Sequence, residues 1–297
     1  MKPNTENSYQ ERILRVLQHI QENLDRDISM QELSGVACFS AAQFHRFFKG
    51  MVGESVGEHV RRLRLERAAQ RLLFTERSVT DIGLEAGYET TESFSRSFKR
   101  CFAASPSLFR QDSRKRFLSV SNTGVHYLPP QDRDGLNIQP RKVTMNVEVK
   151  TVDSVRVAFM RHTGPYFEVE RTWNLLCAWA AEKQLLSPET MVMGMCHDDP
   201  QITPPDKIRY DACLSVPEDI QAEGPVGIQQ AFGGLWGTYR HIGPYEGLQE
   251  TYNNLMGVWL PQSGQELRDT PSIEIYRSDP NTTPPQELIT DIYVPLK

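Results

Sequence analysis

The chain has 297 residues, of which 39% are hydrophobic and 24% charged, and its formal net charge is −5. This length is too great for one compact helical core and predicts about two domains. No apolar run reaches the roughly 18 residues that a membrane span needs, and the first ten residues are polar. The sequence therefore predicts a cytoplasmic protein with neither a signal peptide nor a membrane partner.

Cysteine spacing and charge distribution indicate the state of the thiols and the kind of partner that the first half binds. The five cysteines are widely spaced and form no C-x-x-C pair, so we expect reduced thiols, no metal site and no cofactor. Residues 1–118 hold 19 Lys and Arg against 15 Asp and Glu, whereas residues 119–297 hold 14 against 23. A net positive first half favours nucleic acid as the partner of that half.

Helical periodicity extends from Tyr9 to about Phe117. The first helix is predicted by an apolar stripe, formed by Ile13, Leu14, Leu17, Ile20 and Leu24. A capping box, Ser29 with Glu32, predicts the start of the second helix. The longest periodic segment, Val56 to Phe74, also carries many arginines. We therefore predict an all-α domain over residues 8–117.

This helical half contains an internal repeat. The segment Ile28–Lys49 matches Val79–Lys99 at an offset of 49 or 50 positions. Each copy reads as a short helix, a tight turn and a second helix that opens at Ser or Thr, which is the helix-turn-helix plan. Two such units on one linking helix would enter successive major grooves, roughly 34 Å apart.

The second helix of each unit has its phenylalanines on one side, so its other side is predicted to contact DNA. Arginine can bond guanine bidentately, while Ser, Thr and Gln reach base edges or phosphates. The predicted DNA-contacting residues are Ala42, Gln43, His45, Arg46 and Lys49 in the first unit and Thr91, Glu92, Ser93, Arg96 and Lys99 in the second. Periodicity leaves open the alternative of a helical bundle with solvated basic faces.

The motif DIGLEAGYETTESFSRSFKRCFAASPSLFR, residues 81–110, resembles the signature of the AraC/XylS transcription regulators. Its one mismatch is Ala103-Ala104, where the family has Gly before Ser/Thr-Pro. The resemblance implies double-stranded DNA as the partner and base-contacting positions at Ala42, His45, Arg46, Thr91, Glu92, Ser93 and Arg96. Because Ala42 offers no polar contact and Glu92 is acidic, these residues do not predict which DNA bases are recognised.

The second half has a different texture. Residues 118–142 are rich in Ser, Asn, Gly, Asp and Pro, which predicts a linker or a loop lying over one domain. Beyond Val143 apolar residues alternate, which predicts strands. The segment Arg161–Trp179 recurs from Arg240 at an offset of 79, and the segment from Asp199 recurs from Asp279 at an offset of 80. We therefore predict that residues 143–297 form an α+β domain made of a duplicated βαββ unit, with a groove between its two helices.

This duplicated unit resembles the GyrI-like, or SOIL, effector-binding domain, and its position after an AraC-type module resembles the domain order of Rob-like regulators. The resemblance implies a pocket glutamate that pairs with cationic, lipophilic ligands. Glu274 stands where the first copy has Gly194, on a strand whose Ile273 and Ile275 must point to the opposite face. If the isoleucines face the core, Glu274 and Tyr276 face the groove.

Glu274 is thus the predicted centre of a ligand site, since a carboxylate among aromatic rings favours a cation. The predicted lining is aromatic and consists of Tyr276, Trp236, Tyr245, Tyr166 and Trp173. The alternatives are a surface glutamate, a glutamate paired with Arg240 or Arg277, and aromatic residues that belong to the core. His162 and His241 recur in both copies, which favours a structural role in the turns over catalysis.

These inferences predict a DNA-binding transcription regulator, not an enzyme, that is modulated by a small cationic or amphipathic ligand, with RNA polymerase as a further candidate partner. Motifs such as G-x-S-x-G, H-E-x-x-H or a phosphate loop are absent. Two alternatives remain: a GyrI-like domain that hydrolyses its ligand, and an acidic module that sequesters a protein. Because one chain carries two helix-turn-helix units, we expect a monomer or weak dimer.

Overall fold

The computed structural model describes residues 5–111, 124–138, 141 and 143–297. The predicted end of the helical domain, residues 112–117, and the start of the predicted linker, residues 118–123, lie outside the described residues. Contacts divide the chain into two compact units, Met1–Lys142 with Met256–Pro261 and Val143–Leu255 with Gln262–Lys297. Among the described residues, no helix is both long and apolar enough to cross a bilayer.

Residues 5–111 form seven α-helices whose starts are encoded locally. They are α1 (Thr5–Glu22), α2 (Met30–Ala37), α3 (Ala41–Val52), α4 (Val56–Phe74), α5 (Val79–Glu85), α6 (Thr91–Phe102) and α7 (Pro106–Gln111). Helices α2 to α6 each follow a Ser or Thr whose side-chain oxygen accepts a backbone N–H three residues later. At α3 and α4 the cap is a full capping box, completed by Gln43 and Glu58.

Helices α2 and α3 form one helix-turn-helix unit and α5 and α6 form the other, with α4 between them. The turn of the second unit requires glycine, because Gly87 has a φ of +84° and a Cβ there would lie 2.8 Å from Arg64 Nη1. In the first unit Cys38 takes the left-handed conformation, with a φ of 55°. The predicted all-α, double helix-turn-helix architecture is confirmed.

Aromatic residues anchor the second helix of each unit. Phe44, Phe47 and Phe48 of α3 are fully buried. In α6, Phe94 and Phe98 are equally buried, and the ring of Phe98 lies 5.2 Å from that of Phe109 on α7. Each such burial contributes about 1.5–3 kcal/mol, so the phenylalanine face decides which side of α3 and α6 is left outside the core.

Residues 124–138, the described part of the stretch after the helices, lie over the helical unit. Gln21 Nε2 donates to the carbonyl of His126 at 2.8 Å, and Gln21 Oε1 accepts the N–H of Leu128 at 3.1 Å. Buried Glu66 on α4 accepts the N–H of Tyr127 at 2.7 Å. Of the two interpretations of this stretch, the described part fits a loop lying over one domain.

The second unit is a closed antiparallel barrel with strand order β1-β3-β2-β5-β6-β4. The strands are β1 (Glu148–Thr163), β2 (Val192–Cys196), β3 (Arg209–Ser215), β4 (Gly227–Ile242), β5 (Ser272–Tyr276) and β6 (Ile289–Pro295). The helix of the first copy is α8 (Glu170–Glu182). That of the second is α9 (Leu248–Asn254), followed by a π turn (Leu255–Trp259) and α10 (Leu260–Ser263). Within this helix, residues 256–261 are grouped by their contacts with the first unit. The predicted duplicated βαββ order is confirmed, and closure of the sheet is an additional feature.

The two copies meet where β2 pairs with β5, and there Gly194 lies directly opposite Glu274. Ile273 and Ile275 belong to a buried cluster on one face of the sheet. The other face carries Tyr210 and packs against α8. Because side chains alternate along a strand, Glu274 lies on the helix-covered face.

A histidine holds the Gly-Pro turn of each copy. His162 Nε2 donates to the carbonyl of Pro165 at 3.1 Å, and its Nδ1 accepts the hydroxyl of Thr172 at 3.3 Å. The equivalent bonds of His241 measure 3.2 and 2.9 Å. Both nitrogens of each ring therefore tie the turn to the following helix, which is the structural role expected from their recurrence.

Candidate functional site

Helix α6 presents the more exposed of the two predicted DNA-contacting faces. Its exposed predicted residues are Glu92, Arg96 and Lys99. Thr91 and Ser93 are half-buried and have partners within the protein. Ser93 Oγ donates to the carbonyl of Thr90 at 2.8 Å, and Thr91 Oγ1 bonds Thr80 Oγ1 at 3.2 Å. The charged side chains are therefore the predicted DNA-contacting groups that α6 leaves exposed.

Helix α3 presents a narrower face, on which the half-buried predicted residues are Ala42, Gln43, Arg46 and Lys49. Gln43 Oε1 accepts the N–H of Ser40 at 3.4 Å in the capping box, which commits part of that side chain to the cap. His45 is only 4% exposed, so its predicted outward position is corrected. At about 100° per residue, His45 falls beside buried Val52 at the edge of the apolar stripe.

Three arginines of α4 serve the fold, whereas Arg61 is exposed. Arg62 Nη1 pairs with Glu66 at 2.9 Å, and Arg67 Nη1 pairs with Asp25 of the α1–α2 loop at 2.8 Å. Arg64 Nε donates to the carbonyl of Leu24 at 2.9 Å. The basic character of this helix therefore supports the packing of the unit, and the candidate DNA contacts stay with α3 and α6.

Glu274 is the centre of the second candidate site. Its side chain is buried, and among the residues that the structure describes three uncharged donors hold its carboxylate. The hydroxyl of Tyr276 donates to Oε2 at 2.9 Å, the hydroxyl of Tyr252 donates to Oε1 at 3.0 Å, and the thiol of Cys196 donates to Oε1 at 3.4 Å. The carboxylate is thus stabilised by hydrogen bonds that carry no positive charge.

The expected alternative partners of Glu274 are engaged elsewhere. Arg240 Nε pairs with Asp291 at 2.7 Å, and Arg277 Nε pairs with the same residue at 2.8 Å. Within the described part of the chain, no Lys, Arg or His is paired with Glu274. The salt-bridge and surface interpretations of this glutamate are therefore wrong.

Tyr210 and Tyr276 extend the hydrogen-bond chain, with their hydroxyl oxygens 2.8 Å apart. Burial, and after it the nearby charge of Glu274, raises the pKa of Tyr276 well above its ordinary value. Burial also raises the pKa of Tyr210 well above its ordinary value. Both tyrosines therefore remain protonated donors at neutral pH, Tyr210 toward Tyr276 and Tyr276 toward Glu274.

The residue opposite Glu274 has to be small. A Cβ added at Gly194 would lie 2.3 Å from Tyr210 Oη and 2.5 Å from its Cε2, far inside contact distance. Tyr210 is 2% exposed and so has little room to withdraw. Gly194 therefore leaves room for the ring of Tyr210. Its counterpart in the second copy, Glu274, supplies a charge instead.

Three of the predicted aromatic residues lie around the hydrogen-bond chain that Tyr210 and Tyr276 form to Glu274. The rings of Trp173 and Tyr245 lie 6.0 and 5.8 Å from that of Tyr276, both edge-on. The ring of Tyr166 lies 5.8 Å from that of Tyr210. Tyr245 is 38% exposed, so the aromatic shell reaches the surface of the domain at this residue.

Trp236 is a correction, because it lies on the opposite face of the sheet from Glu274. Its buried ring belongs to the cluster of Ile273 and Ile275, with Phe232 at 5.4 Å. The register explains this placement. Ile273 pairs with Tyr293, Tyr293 pairs with Thr238, and Trp236 shares the face of Thr238 two residues away.

Tyr252, Tyr210 and Cys196 were missed by the sequence reasoning. The repeat contained a signal for two of them: Tyr252 is the counterpart of Trp173 at the offset of 79, and Cys196 is the counterpart of Tyr276 at the offset of 80. Because the copies pack about a pseudo-twofold relation, counterparts of a site residue belong to the same site. Tyr210 corresponds to Thr290 and had no such signal.

Comparison with known proteins agrees with this division. The model of a GyrI-like small molecule binding domain matches residues 145–297, just over half of the chain, and that of a helix-turn-helix domain matches residues 33–112. "Probable transcriptional regulator YgiV" of Escherichia coli strain K12 is 30% identical over 158 residues, which are 52% of this chain and 98% of that protein.

One further relative matches a smaller part of the chain, and one solved structure shows a weak likeness. "Uncharacterized HTH-type transcriptional regulator YbfP" of Bacillus subtilis is 35% identical over 111 residues, so the match spans only 37% of that relative's length and 37% of this chain. A solved hydrolase from Listeria innocua is 15% identical, covers 54% of this chain and 94% of its own, and has a TM-score of 0.38. The chain belongs to the family with a GyrI-like small molecule binding domain, which here follows an AraC-type helix-turn-helix domain.

Proposed function

We propose that this protein is a sequence-specific, DNA-binding transcription regulator whose barrel domain senses a small lipophilic cation. The observation that carries the proposal is the environment of Glu274. It is a buried carboxylate with three neutral donors, surrounded by aromatic rings, and it pairs with no cationic side chain of the described residues. The match to a small molecule binding domain supports a ligand-binding role for the barrel domain.

A cation would complete the electrostatics of this site. A buried carboxylate loses its hydration, and neutral hydroxyls replace only part of that stabilisation. Facing rings such as those of Tyr245 and Trp173 would add about 0.5–2 kcal/mol of cation–π attraction. Donors already use three of the roughly four acceptor positions of the carboxylate. A delocalised or quaternary cation, which needs no hydrogen bonds of its own, therefore fits best.

The DNA contacts of the proposed regulator come from α3 and α6. Arg46 and Lys49 on the first helix and Arg96 and Lys99 on the second supply the positive groups. Residues 8–117 would form the DNA-binding domain, residues 143–297 the sensor, and residues 118–142 their connection. A single chain would then read an asymmetric site, and RNA polymerase is the further partner that such a regulator would contact.

Coupling between the two activities requires a ligand that binds one arrangement of the protein more tightly than another. A preference of about 1–3 kcal/mol changes the affinity for DNA by roughly 5- to 150-fold. Addition of the cation is therefore expected to change the affinity of the protein for DNA or the level of transcription.

Replacing Glu274 with Gln is expected to weaken binding of tetraphenylphosphonium by at least about tenfold. The substitution keeps the shape and the hydrogen-bonding oxygen but removes the charge, and about 1.4 kcal/mol corresponds to a factor of ten. Quenching of tryptophan fluorescence measures the affinity, because the ring of Trp173 lies 6.0 Å from that of Tyr276.

The matched control is Glu287→Gln, at an exposed glutamate of the same domain. Equal affinities of the wild type and Glu274→Gln would remove this carboxylate from the site. The same proteins should hydrolyse 4-nitrophenyl acetate no faster than buffer does. Hydrolysis by the wild type that disappears in Glu274→Gln would instead support an enzyme.

Replacing Arg96 with Ala is expected to lower the affinity for a selected DNA site by about 5- to 150-fold, the equivalent of 1–3 kcal/mol for a bidentate contact with a base. Affinity for unrelated DNA should change far less, because it depends on phosphate contacts. Binding to sites selected from random duplexes, measured at two salt concentrations, tests this. Arg15→Ala, at an exposed arginine of α1, is the control, and an equal loss for both DNA types would contradict base reading by Arg96.

A further inference from the structure

The helices of the two barrel copies differ by one residue. In α8 the buried positions Thr172, Leu176 and Ala180 are spaced by four and four. Their counterparts in the second copy are Thr251, Leu255 and Leu260, spaced by four and five. The extra residue coincides with the π turn, and there the repeat offset also changes from 79 to 80, so that Trp259 becomes the counterpart of Trp179.

The local sequence explains why the helix opens at this point. Pro261 has no N–H to donate, and its ring meets the carbonyl four residues earlier, that of Gly257. Glycine itself disfavours a helix by about 1 kcal/mol. The counterpart of Pro261 in α8 is Ala181, which has neither defect. Since α8 runs through the equivalent positions as a regular helix, the π turn is a feature of the second copy's own sequence.

The same helix is tied to the candidate ligand site one turn before the π turn. Tyr252 donates its hydroxyl to Glu274 Oε1 at 3.0 Å, whereas its counterpart Trp173 makes ring contacts with Tyr210 and Tyr276. At the junction, Asn254 Oδ1 is buried without a hydrogen-bond partner in the described part of the chain. The hydrogen bond that ties Tyr252 to the site is therefore followed directly by the π turn, where regular α-helical hydrogen bonding is interrupted.

We propose that the π turn Leu255–Trp259 is a hinge that responds to occupancy of the Glu274 site. This inference rests on the proposed function. A bulky cation seated against Glu274 Oε1 offsets the charge of the carboxylate and so weakens its hydrogen bond from Tyr252, and the first part of the helix is then released. The extra residue takes up the resulting rotation within the π turn, so that Leu260 keeps its packing. Rare π turns concentrate at functional sites because a regular helix would be more stable.

Hydrogen exchange measured by mass spectrometry on the full chain tests the hinge. Tyr252→Phe removes only the hydroxyl, and amides of residues 255–260 should then exchange about fivefold faster without any ligand. Residues 176–180 of α8 should not change. The control Tyr245→Phe removes a hydroxyl from the same aromatic shell without a bond to Glu274. Unchanged exchange in residues 255–260 of Tyr252→Phe, or an equal change in α8, would overturn the proposal.

Two additional arms separate the hinge from the proposed function. Tetraphenylphosphonium should accelerate exchange in residues 255–260 of the wild type and have no further effect in Tyr252→Phe. Deletion of Gly257 restores the four-residue spacing and should slow exchange there and make it insensitive to Tyr252→Phe. If the cation does not bind, the proposed function fails while the comparison of Tyr252→Phe with wild type still decides the hinge. If it binds without changing exchange in residues 255–260, the hinge fails alone.

Discussion

Replacing Glu66 with Ala should lower the free energy of unfolding of the helical unit by about 3–5 kcal/mol, the usual effect of removing one partner from a buried ion pair. The Glu66 side chain is 1% exposed. It accepts hydrogen bonds from Arg62 Nη1 at 2.9 Å, His126 Nδ1 at 3.0 Å and the Tyr127 N–H at 2.7 Å. Alanine would leave the backbone donor of Tyr127 without this acceptor and would leave Arg62 with one carboxylate fewer.

The loss should be largest where residues 124–138 lie on α4, because Glu66 joins that stretch to the helix. Urea unfolding followed by far-ultraviolet circular dichroism measures the change in stability. Glu66→Gln should fall between the wild type and Glu66→Ala, since it keeps an acceptor oxygen but not the charge. Glu76→Ala, at an exposed position of the α4–α5 loop, is the control. A Glu66→Ala protein as stable as this control would show that the stretch is held by other contacts.

Both internal repeats made the fold predictable. A helix-turn-helix that occurs twice has caps and turns that repeat as well, and the structure has Ser40 and Thr90 at equivalent N-caps. In the second half, the matched turns at His162 and His241 predicted two βαββ units. Closure into a barrel was beyond reach, because pairing between β2 and β5 depends on how the copies meet and not on either copy alone.

Side-chain placement was predictable only where one face of an element is clearly apolar. His45 lies near the boundary of the apolar stripe of α3, where a shift of about 20° around the helix decides burial. Trp236 lies on a strand of a barrel whose two faces are both covered, so alternation could not say which face looks toward Glu274. Tyr252 was not predicted, although the repeat carried a signal for it, because its counterpart Trp173 was already in the predicted lining.

Replacing Gly194 with Ala should disrupt the candidate ligand site more than the addition of one methyl group suggests. The new Cβ would lie 2.3 Å from Tyr210 Oη and 2.6 Å from its Cζ, so the ring must move. Movement breaks the 2.8 Å bond between the hydroxyls of Tyr210 and Tyr276, and Tyr276 then holds Glu274 less firmly. We expect a loss of about 1–3 kcal/mol in barrel stability, the usual effect of overpacking.

Affinity for tetraphenylphosphonium should fall by about tenfold or more in Gly194→Ala, because a cation would meet a displaced ring and a reoriented carboxylate. Gly57→Ala is the matched control, since a Cβ at that position has no heavy atom within 4 Å. Its affinity should match that of the wild type, and its stability should be equal or higher, because alanine favours a helix more than glycine does. Equal behaviour of the two variants would show that Tyr210 can move aside at no measurable cost.

A double-mutant cycle tests whether the clash between the new Cβ and the ring of Tyr210 causes the loss of stability. In a Tyr210→Ala background the space beside Gly194 is open, so adding Gly194→Ala should change stability by less than about 0.5 kcal/mol. In the wild-type background the same substitution should have its full effect, and the difference measures the coupling between Gly194 and Tyr210. Additive effects would mean that Gly194 acts through the strand backbone. A coupling of at least 1 kcal/mol would establish that glycine at position 194 leaves room for the ring of Tyr210, whose hydroxyl bonds that of Tyr276.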